Sequence, residues 1–215
     1  FAVPGAPTDR SFEAAFQRAA GKWRVGLPEA GLRKKPGLQG PIDDVFYDSF
    51  LMVPPSGPSA HTAVNAWVQH ELNWMRVNWR GQFRGDAPEK AASDVTAEDI
   101  AENHLILWGD AVGNPLVARV LAGLPIGWTK DELTLAGSTR PATTHVPVMI
   151  FPNPLNPEKY VVLNSGFTFR AHGSNADQTP KLPDYALIDV TLPPTPTAPG
   201  GVVTAGFFDE LWQVK

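Results

Sequence analysis

The stretch HLILWGDAVGNPLVARVL, residues 104–121, carries most of the information about the fold. It begins with a continuous apolar run, residues 104–108, which is typical of a strand buried on both faces. A loop with two glycines follows, and Asn114 and Pro115 then occupy the N-cap and the first position of an apolar helix. Strand, glycine loop and helix in this order open a βαβ unit, so the stretch predicts an α/β domain.

One strand and two helices are predicted upstream of this stretch. Residues 45–53, VFYDSFLMV, are rich in aromatic and β-branched residues and predict a strand. A wide apolar face at helical spacing predicts a helix that begins with Ser59 as its N-cap and ends near Trp79. The capping box Thr96–Asp99, with Asp in place of the usual Glu, predicts a short helix that ends at Glu102.

The second half of the chain is rich in predicted strands. They are separated by proline-rich connections, among them residues 152–157 and the loop Thr191–Gly201. The predicted strands are Gly127–Thr129, Glu132–Ala136, Val146–Phe151, Tyr160–Leu163, Tyr185–Val190 and Val202–Phe208. Because a long helix is followed by alternating strands and helices, residues 45–215 are predicted to form an α/β domain, a three-layer Rossmann/flavodoxin-like sandwich with a mostly parallel sheet.

Residues 1–44 are predicted to lie outside this domain, as an N-terminal helix and an irregular extended arm. Apolar residues from Phe12 to Ala19 recur at helical spacing, and Gly21 is placed to end the helix. Glycines, prolines and basic residues interrupt residues 26–41 without periodicity, which predicts an extended connection.

Composition excludes several classes of chemistry. The chain has 215 residues, no cysteine and a net charge of −4 at pH 7. Thiol nucleophiles, disulfides and iron–sulfur clusters are therefore excluded, and the acidic balance argues against a nucleic-acid partner. No apolar stretch has the length of a membrane helix, and no signal peptide is visible. The start at Phe1 indicates a processed protein or a fragment, and the lack of cysteine favours a secreted or periplasmic location.

Two motifs with catalytic counterparts are incomplete. Gly57–His61 matches the nucleophile elbow G-x-S-x-G except that His61 replaces the second glycine, which favours a helix cap for Ser59. His70 and Glu71 match the first half of the zinc motif H-E-x-x-H, but Trp74 stands where the second histidine is required. We therefore predict no metal site here, and we expect His70 and Glu71 on the solvated side of the helix.

The loop Gly109–Asn114 lies where many α/β proteins bind phosphates or nucleotides. It lacks the spacing of a dinucleotide loop and the Lys-Ser or Lys-Thr of a P-loop, so no cofactor is predicted. A tight turn between strand and helix is the favoured interpretation. As a ligand site, Gly109, Asp110, Gly113 and Asn114 would hold a neutral or hydroxyl-bearing group through Asp110 and Asn114.

Ser165, His172 and Asp189 have the residue types of a hydrolytic triad and lie near predicted strand ends. Their order along the chain differs from the Ser, Asp, His order of α/β-hydrolases. Turn formation by Asn164-Ser165-Gly166 is therefore the favoured interpretation, and the catalytic assignment remains an alternative.

Carboxylates are concentrated in two places, and pairs of them can hold a hard cation or perform acid–base chemistry. One group is Asp43, Asp44 and Asp48, and the other is Asp209 and Glu210. The sequence leaves open whether the two groups meet in space, and solvated carboxylates are the favoured interpretation.

Several segments resemble a C-terminal region found in bacterial secreted proteins that carry a prolyl-oligopeptidase-like α/β-hydrolase domain upstream. These segments are Lys35–Asp44, Pro152–Pro157 with Tyr160–Gly166, Gln178–Asp184 and Ala205–Trp212. The resemblance implies a three-layer α/β module that lies beside a serine hydrolase or esterase domain. It supplies no catalytic residue within this chain, because the nucleophile elbow of that family would lie upstream.

Three functions remain open at this stage. The leading one is a non-catalytic accessory module that packs on the α/β-hydrolase domain or chain and helps to shape its substrate cleft. The second is a hydrolase or esterase acting through a site near Ser165 and His172. The third is a domain that binds a carbohydrate or another small ligand through exposed aromatic residues with Asp110 and Asn114.

Overall fold

The computed structural model describes residues 14–26, 31–170 and 181–215. The chain divides into two compact units, residues 1–32 and residues 33–215. Each unit is described by itself.

The described part of the first unit is a β-hairpin. Strand β1, Phe16–Ala19, pairs in antiparallel fashion with β2, Lys22–Val25. Ala20 and Gly21 connect them with φ angles of 49° and 75°, the left-handed pair that closes a tight hairpin. The predicted helix is therefore wrong over residues 16–19, because this turn reverses the chain within two residues. Phe12, where that prediction began, lies outside the described residues.

In residues 33–170 and 181–215, the second unit has one mixed sheet of six strands, a separate three-stranded sheet and three α-helices. In chain order its elements are β3 (Phe50–Val53), α1 (Thr62–Phe83), α2 (Ala97–Glu102), β4 (His104–Leu107), α3 (Pro115–Val120), β5 (Ile126–Trp128), β6 (Glu132–Leu135), β7 (Ser138–Pro141), β8 (His145–Asn153), β9 (Asn156–Leu163), β10 (Tyr185–Asp189) and β11 (Gly201–Gly206). Short 3₁₀ helices cover Ile42–Tyr47, Ala92–Asp94 and Leu121–Gly123.

The structure contradicts the predicted Rossmann/flavodoxin-like sandwich with a mostly parallel sheet. The six strands lie in the order β11-β10-β8-β9-β4-β3. The pairs β3–β4 and β4–β9 are parallel, whereas β8–β9, β8–β10 and β10–β11 are antiparallel. Strands β5, β6 and β7 form a separate antiparallel meander. The described chain thus has a mixed sheet with few helices, not three alternating layers.

The reversal of strand direction originates in the turn between β8 and β9. Only Pro154 and Leu155 separate the two strands, and the Asn153 side chain accepts a hydrogen bond from the Leu155 amide at 3.0 Å. A parallel neighbour needs a crossover of a dozen or more residues, so this connection permits an antiparallel hairpin only. The three prolines of residues 152–157 predicted a rigid connection, but the shortness of the connection determines the direction of β9.

Local predictions around the parallel half of the sheet are largely confirmed. Helix α2 has the predicted capping box, with bonds in both directions between Thr96 and Asp99. Asn114 caps α3 through the Leu116 amide, with Pro115 at the first helical position. The strand predicted at residues 45–53 is only partly correct, because residues 42–47 form a 3₁₀ helix and β3 begins at Phe50.

One end of the six-stranded sheet gathers the carboxyl ends of several strands. Strands β3, β4 and β9 run in parallel, and β10 runs in the same direction because β8 is antiparallel to both β9 and β10. The segments that follow these strands therefore meet at one edge, which we call the carboxyl edge. In α/β sheets this is the usual place for a site.

Candidate functional site

Two buried asparagines bind main-chain groups at the carboxyl edge. Asn164, which follows β9, accepts a hydrogen bond from the Gly109 amide at 2.7 Å and donates to the Gly109 and Pro147 carbonyls. Asn114 donates to the carbonyls of Val53 and Trp108 while it caps α3. Both side chains are almost completely buried. They satisfy main-chain groups at the strand ends, so their role is structural.

Asp110 organises the glycine loop in the same manner. Its carboxylate accepts hydrogen bonds from the amides of Ala60 at 2.7 Å, Val112 at 3.1 Å and Gly113 at 2.8 Å. Gly113 lies against the chain before α1, and a Cβ there would approach the Gly57 carbonyl oxygen to 2.8 Å. The four predicted ligand residues thus form a tight strand-to-helix turn. Of the four, Asp110 also lines a cavity.

That cavity has a volume of about 90 Å³ and lies between the glycine loop and the β5–β6 turn. Asp110, Val112, His61, Trp128 and Lys130 are among its lining residues. The Nε2 atom of His61 is 2.6 Å from the Lys130 carbonyl oxygen, which joins the start of α1 to the β5–β6 turn.

The start of α1 differs from the prediction. His61, and not Ser59, occupies the N-cap position, and it makes no side-chain cap bond. The Ser59 amide donates to the Asn65 side chain at 3.0 Å, and its hydroxyl is buried without a hydrogen bond among the described residues. Ser59 is therefore not the helix cap that was predicted, and its hydroxyl is not exposed as a nucleophile would be.

The three residues of the alternative triad have different surroundings. The Ser165 hydroxyl donates to the Gly166 carbonyl at 2.9 Å. The Asp189 carboxylate accepts from the amide and the hydroxyl of Thr191, and these bonds lower the pKa of Asp189. His172 lies outside the described residues. Among the bonds of the described residues, Ser165 and Asp189 each close a local turn.

A buried ion pair that was not predicted from the sequence lies on the inner face of α1. Glu71 and Arg170 face each other with two bonds, at 2.6 and 3.1 Å, and both side chains are less than a tenth exposed. Arg170 also donates to the Thr195 carbonyl at 3.0 Å, and its guanidinium lies 4.4 Å from the centre of the Trp74 ring. The prediction that Glu71 is solvated is wrong, whereas His70 is exposed as expected.

The sequence did contain a signal for the burial of Glu71. Glu71 lies three residues after Val68 and four before Met75, both of which are buried on the inner face of α1. A charge at such a position requires a buried partner. The partner could not be chosen from sequence because Arg170 is 99 residues away.

The carboxylates of residues 43–48 are bound individually rather than as a cluster. Asp43 accepts from the amide and hydroxyl of Thr168, and burial raises the pKa of Asp43. Asp44 accepts from the Tyr160 hydroxyl at 2.5 Å, and Asp48 pairs with Lys159 at 2.9 Å.

The second carboxylate group is also engaged locally, because Asp209 accepts from the Leu211 and Gln213 amides of its own turn. In residues 14–26, 31–170 and 181–215, His, Asp and Glu side chains form no group of three or more that could hold a metal ion. Within the same ranges, no helix is long and apolar enough to span a bilayer.

The segments that carry the family resemblance converge on a second buried carboxylate, Asp184. Its Oδ2 atom accepts from the Lys34 ammonium at 2.5 Å and from the Phe208 amide at 2.9 Å. Burial raises the pKa of Asp184, and the bond with Lys34 opposes that shift. A Cβ on Gly40 would lie 2.1 Å from the Asp184 Oδ1 atom, so the chain at Gly40 packs directly on the carboxylate.

Tyr160 fastens the same segment to the sheet. Its hydroxyl accepts a bond from the Gly40 amide at 3.0 Å while it donates to Asp44. Burial, followed by the bond to Asp44, raises the pKa of Tyr160. The Lys34 ammonium also lies 4.8 Å from the centre of the Trp212 ring. Four residues from the segments of the resemblance therefore form a structural latch together with Lys34, and we define the latch as Lys34, Gly40, Tyr160, Asp184 and Trp212.

Comparison with family models, with curated proteins and with solved structures finds no match to this chain. The hydrolase-associated family therefore stays a prediction, and the function is argued below from the geometry.

Proposed function

We propose that this chain is a non-catalytic accessory module that packs on an α/β-hydrolase domain or chain of the prolyl-oligopeptidase type. The observation that carries the proposal is how the polar groups at the carboxyl edge are used. Asn114 and Asn164 are buried and bond to main-chain groups of three regions, namely the end of β3, the residues after β4 and the start of β8. Side chains held in this way rigidify an edge and are not free to bind a reacting group.

A surface of exposed aromatic residues supplies a docking face for such a partner. Tyr47 is 88% exposed and Phe83 is 52% exposed. Phe46, which precedes Tyr47 in the sequence, has its ring centre 5.5 Å from that of Trp79, and the ring centre of Trp79 is 4.2 Å from that of Phe83. Aromatic side chains on a rigid base are the residues that most often dominate protein–protein affinity.

The catalytic half of the proposal is tested on the isolated chain. Purified protein is incubated with p-nitrophenyl esters, with prolyl peptides and with a fluorophosphonate probe that labels activated serines. We expect neither turnover nor labelling. Robust turnover that is abolished by Ser165→Ala would establish the hydrolase alternative in place of the accessory module.

The docking half is tested with the α/β-hydrolase region that the resemblance predicts, expressed as a separate chain. We expect a complex, and we expect Tyr47→Ala with Phe83→Ala to weaken it at least about tenfold, as loss of interface aromatics does. Leu192→Ala is the matched control, because Leu192 is 55% exposed at another place on the chain. Equal weakening by the control variant would contradict the assignment of this surface.

A further inference from the structure

We infer that the 90 Å³ cavity beside the glycine loop is a binding site for a single sugar or a comparable polyol. The inference does not depend on a hydrolase partner, because all of its residues lie in this chain. It begins with a buried charged group on the cavity wall. Asp110 lines the cavity and is only 6% exposed, so its carboxylate is held rigidly.

The bonds of Asp110 leave one acceptor position available. Oδ1 accepts from two amides, those of Val112 and Gly113, whereas Oδ2 accepts from the Ala60 amide. A carboxylate oxygen has two lone pairs, so Oδ2 can accept a second donor. A ligand hydroxyl is the neutral donor that fits beside an oxygen already bound to an amide.

His61 is a second polar residue of the cavity lining. The Lys130 carbonyl oxygen can only accept, so His61 Nε2 must carry the hydrogen of the 2.6 Å contact. In the neutral ring the lone pair is then on Nδ1. Because the Asp110 carboxylate is part of the cavity lining, a ligand that donates hydroxyl groups is favoured over a carboxylate or a phosphate.

The remaining walls match the apolar face of a sugar ring. Trp128 lies on β5 and is partly exposed, and the Val112 side chain is 70% exposed at the rim. Lys130 is also a lining residue of the cavity. A cavity with a volume of about 90 Å³ suits a small ligand and not an extended chain.

Asn114, which was predicted as a ligand residue, does not line this cavity. Asn114 is completely buried, and its amide group is bound to the Val53 and Trp108 carbonyls. The ligand-contacting set is therefore Asp110, His61, Trp128 and Lys130.

The test is a titration of the isolated chain with glucose, galactose, mannose, xylose and arabinose, followed by calorimetry and by NMR shifts of tryptophan side chains. We expect at least one sugar to bind with a dissociation constant in the millimolar range, typical of a small polar ligand. Trp128→Ala and His61→Phe should each weaken binding at least about tenfold. Trp23→Ala is the matched control, because Trp23 is 59% exposed in the first unit.

The outcomes separate the inference from its alternatives. If no sugar in the panel binds at about 100 mM, the inference is wrong, since that concentration exceeds any useful affinity. Binding that is unchanged in both Trp128→Ala and His61→Phe places the sugar elsewhere and also overturns it. Acetate or phosphate that binds while the sugars do not would identify an anion site instead. Should Trp128→Ala fail to fold, as judged by circular dichroism, His61→Phe alone decides.

Discussion

Gly40→Ala probes the latch at its most crowded point. Gly40 has a φ of +73°, a conformation that costs an alanine about 1 kcal/mol. The new Cβ would also lie 2.1 Å from the Asp184 Oδ1 atom, well inside van der Waals contact. Asp184 is completely buried and is held by Lys34 and Phe208, so it cannot move without loss of those bonds. Overpacking of this kind costs about 1–3 kcal/mol, so we expect a total loss of about 2–4 kcal/mol.

Gly37→Ala is a matched control for the backbone contribution. Gly37 has a φ of +78°, and an added Cβ there meets nothing within 4 Å. Urea unfolding followed by circular dichroism should therefore show a loss of only about 1 kcal/mol for Gly37→Ala.

A third measurement isolates the contact with the carboxylate. In an Asp184→Ala background, Gly40→Ala should cost no more than Gly37→Ala, because the atom it strikes is gone. Equal losses for Gly40→Ala and Gly37→Ala in the parent chain would refute the reasoning, since the carboxylate would then impose no constraint on position 40.

Three further predictions concern burial of polar groups. Burial lowers the pKa of His104 to about 4, and its Nδ1 atom accepts from the Tyr160 amide, so the folded state resists protonation of the ring. The contribution of neutral His104 to the free energy of unfolding should be fully present above about pH 6.5, the ordinary pKa of histidine. As the pH falls towards 4, where His104 titrates in the folded state, the free energy of unfolding should decrease by up to about 3 kcal/mol. In His104→Asn, the urea midpoint should depend less on pH over this range. Glu71→Ala should cost about 3–5 kcal/mol because Arg170 stays buried without its partner, whereas replacing Glu71 and Arg170 together by Leu and Met should cost much less in the same unfolding assay. Asn114→Ala removes a helix cap and two bonds to strand-end carbonyls, and calorimetric unfolding should show a loss of about 2–4 kcal/mol, against little change for Asn73→Ala on the exposed side of α1.

Local features of the fold could be predicted where one segment contains both partners of an interaction. The box of Thr96 and Asp99 and the cap at Asn114 are of this kind, since each bond spans no more than three residues. The buried strand β4 was also predictable, because three of its four residues are apolar in one continuous run, and all four are buried. Such signals fix elements without fixing how the elements pair.

Sheet topology was mispredicted because the pattern of apolar residues does not specify strand direction. Strand β8 is buried along its whole length, as a central parallel strand would be. The length of the connection at Pro154 and Leu155 contained the missing information, since two residues cannot return a chain to the start of a parallel strand.

Of the four residues predicted as a ligand site at the glycine loop, Asp110 lines the cavity. Asn114 does not line this cavity and instead bonds to buried main-chain carbonyls. Other lining residues are His61, Trp128 and Lys130, which were not predicted. Lys130 and Asp110 are brought together by the placement of the β5–β7 meander, which no local pattern encodes. The pair of Lys34 and Asp184, 150 residues apart, was invisible for the same reason.

The latch also has a consequence for the order in which the unit is completed during synthesis. Lys34, near the start of the unit, bonds through its amide to the Glu210 carbonyl at 2.8 Å, and its ammonium lies 4.8 Å from the centre of the Trp212 ring. Lys34 is therefore secured by residues that are synthesised after most of the unit. A nascent chain that stops before Phe208 has no partner for the second bond to Asp184, so vectorial folding cannot finish the unit step by step. Lys34 therefore makes its full set of contacts only after residues 208–212 have been synthesised.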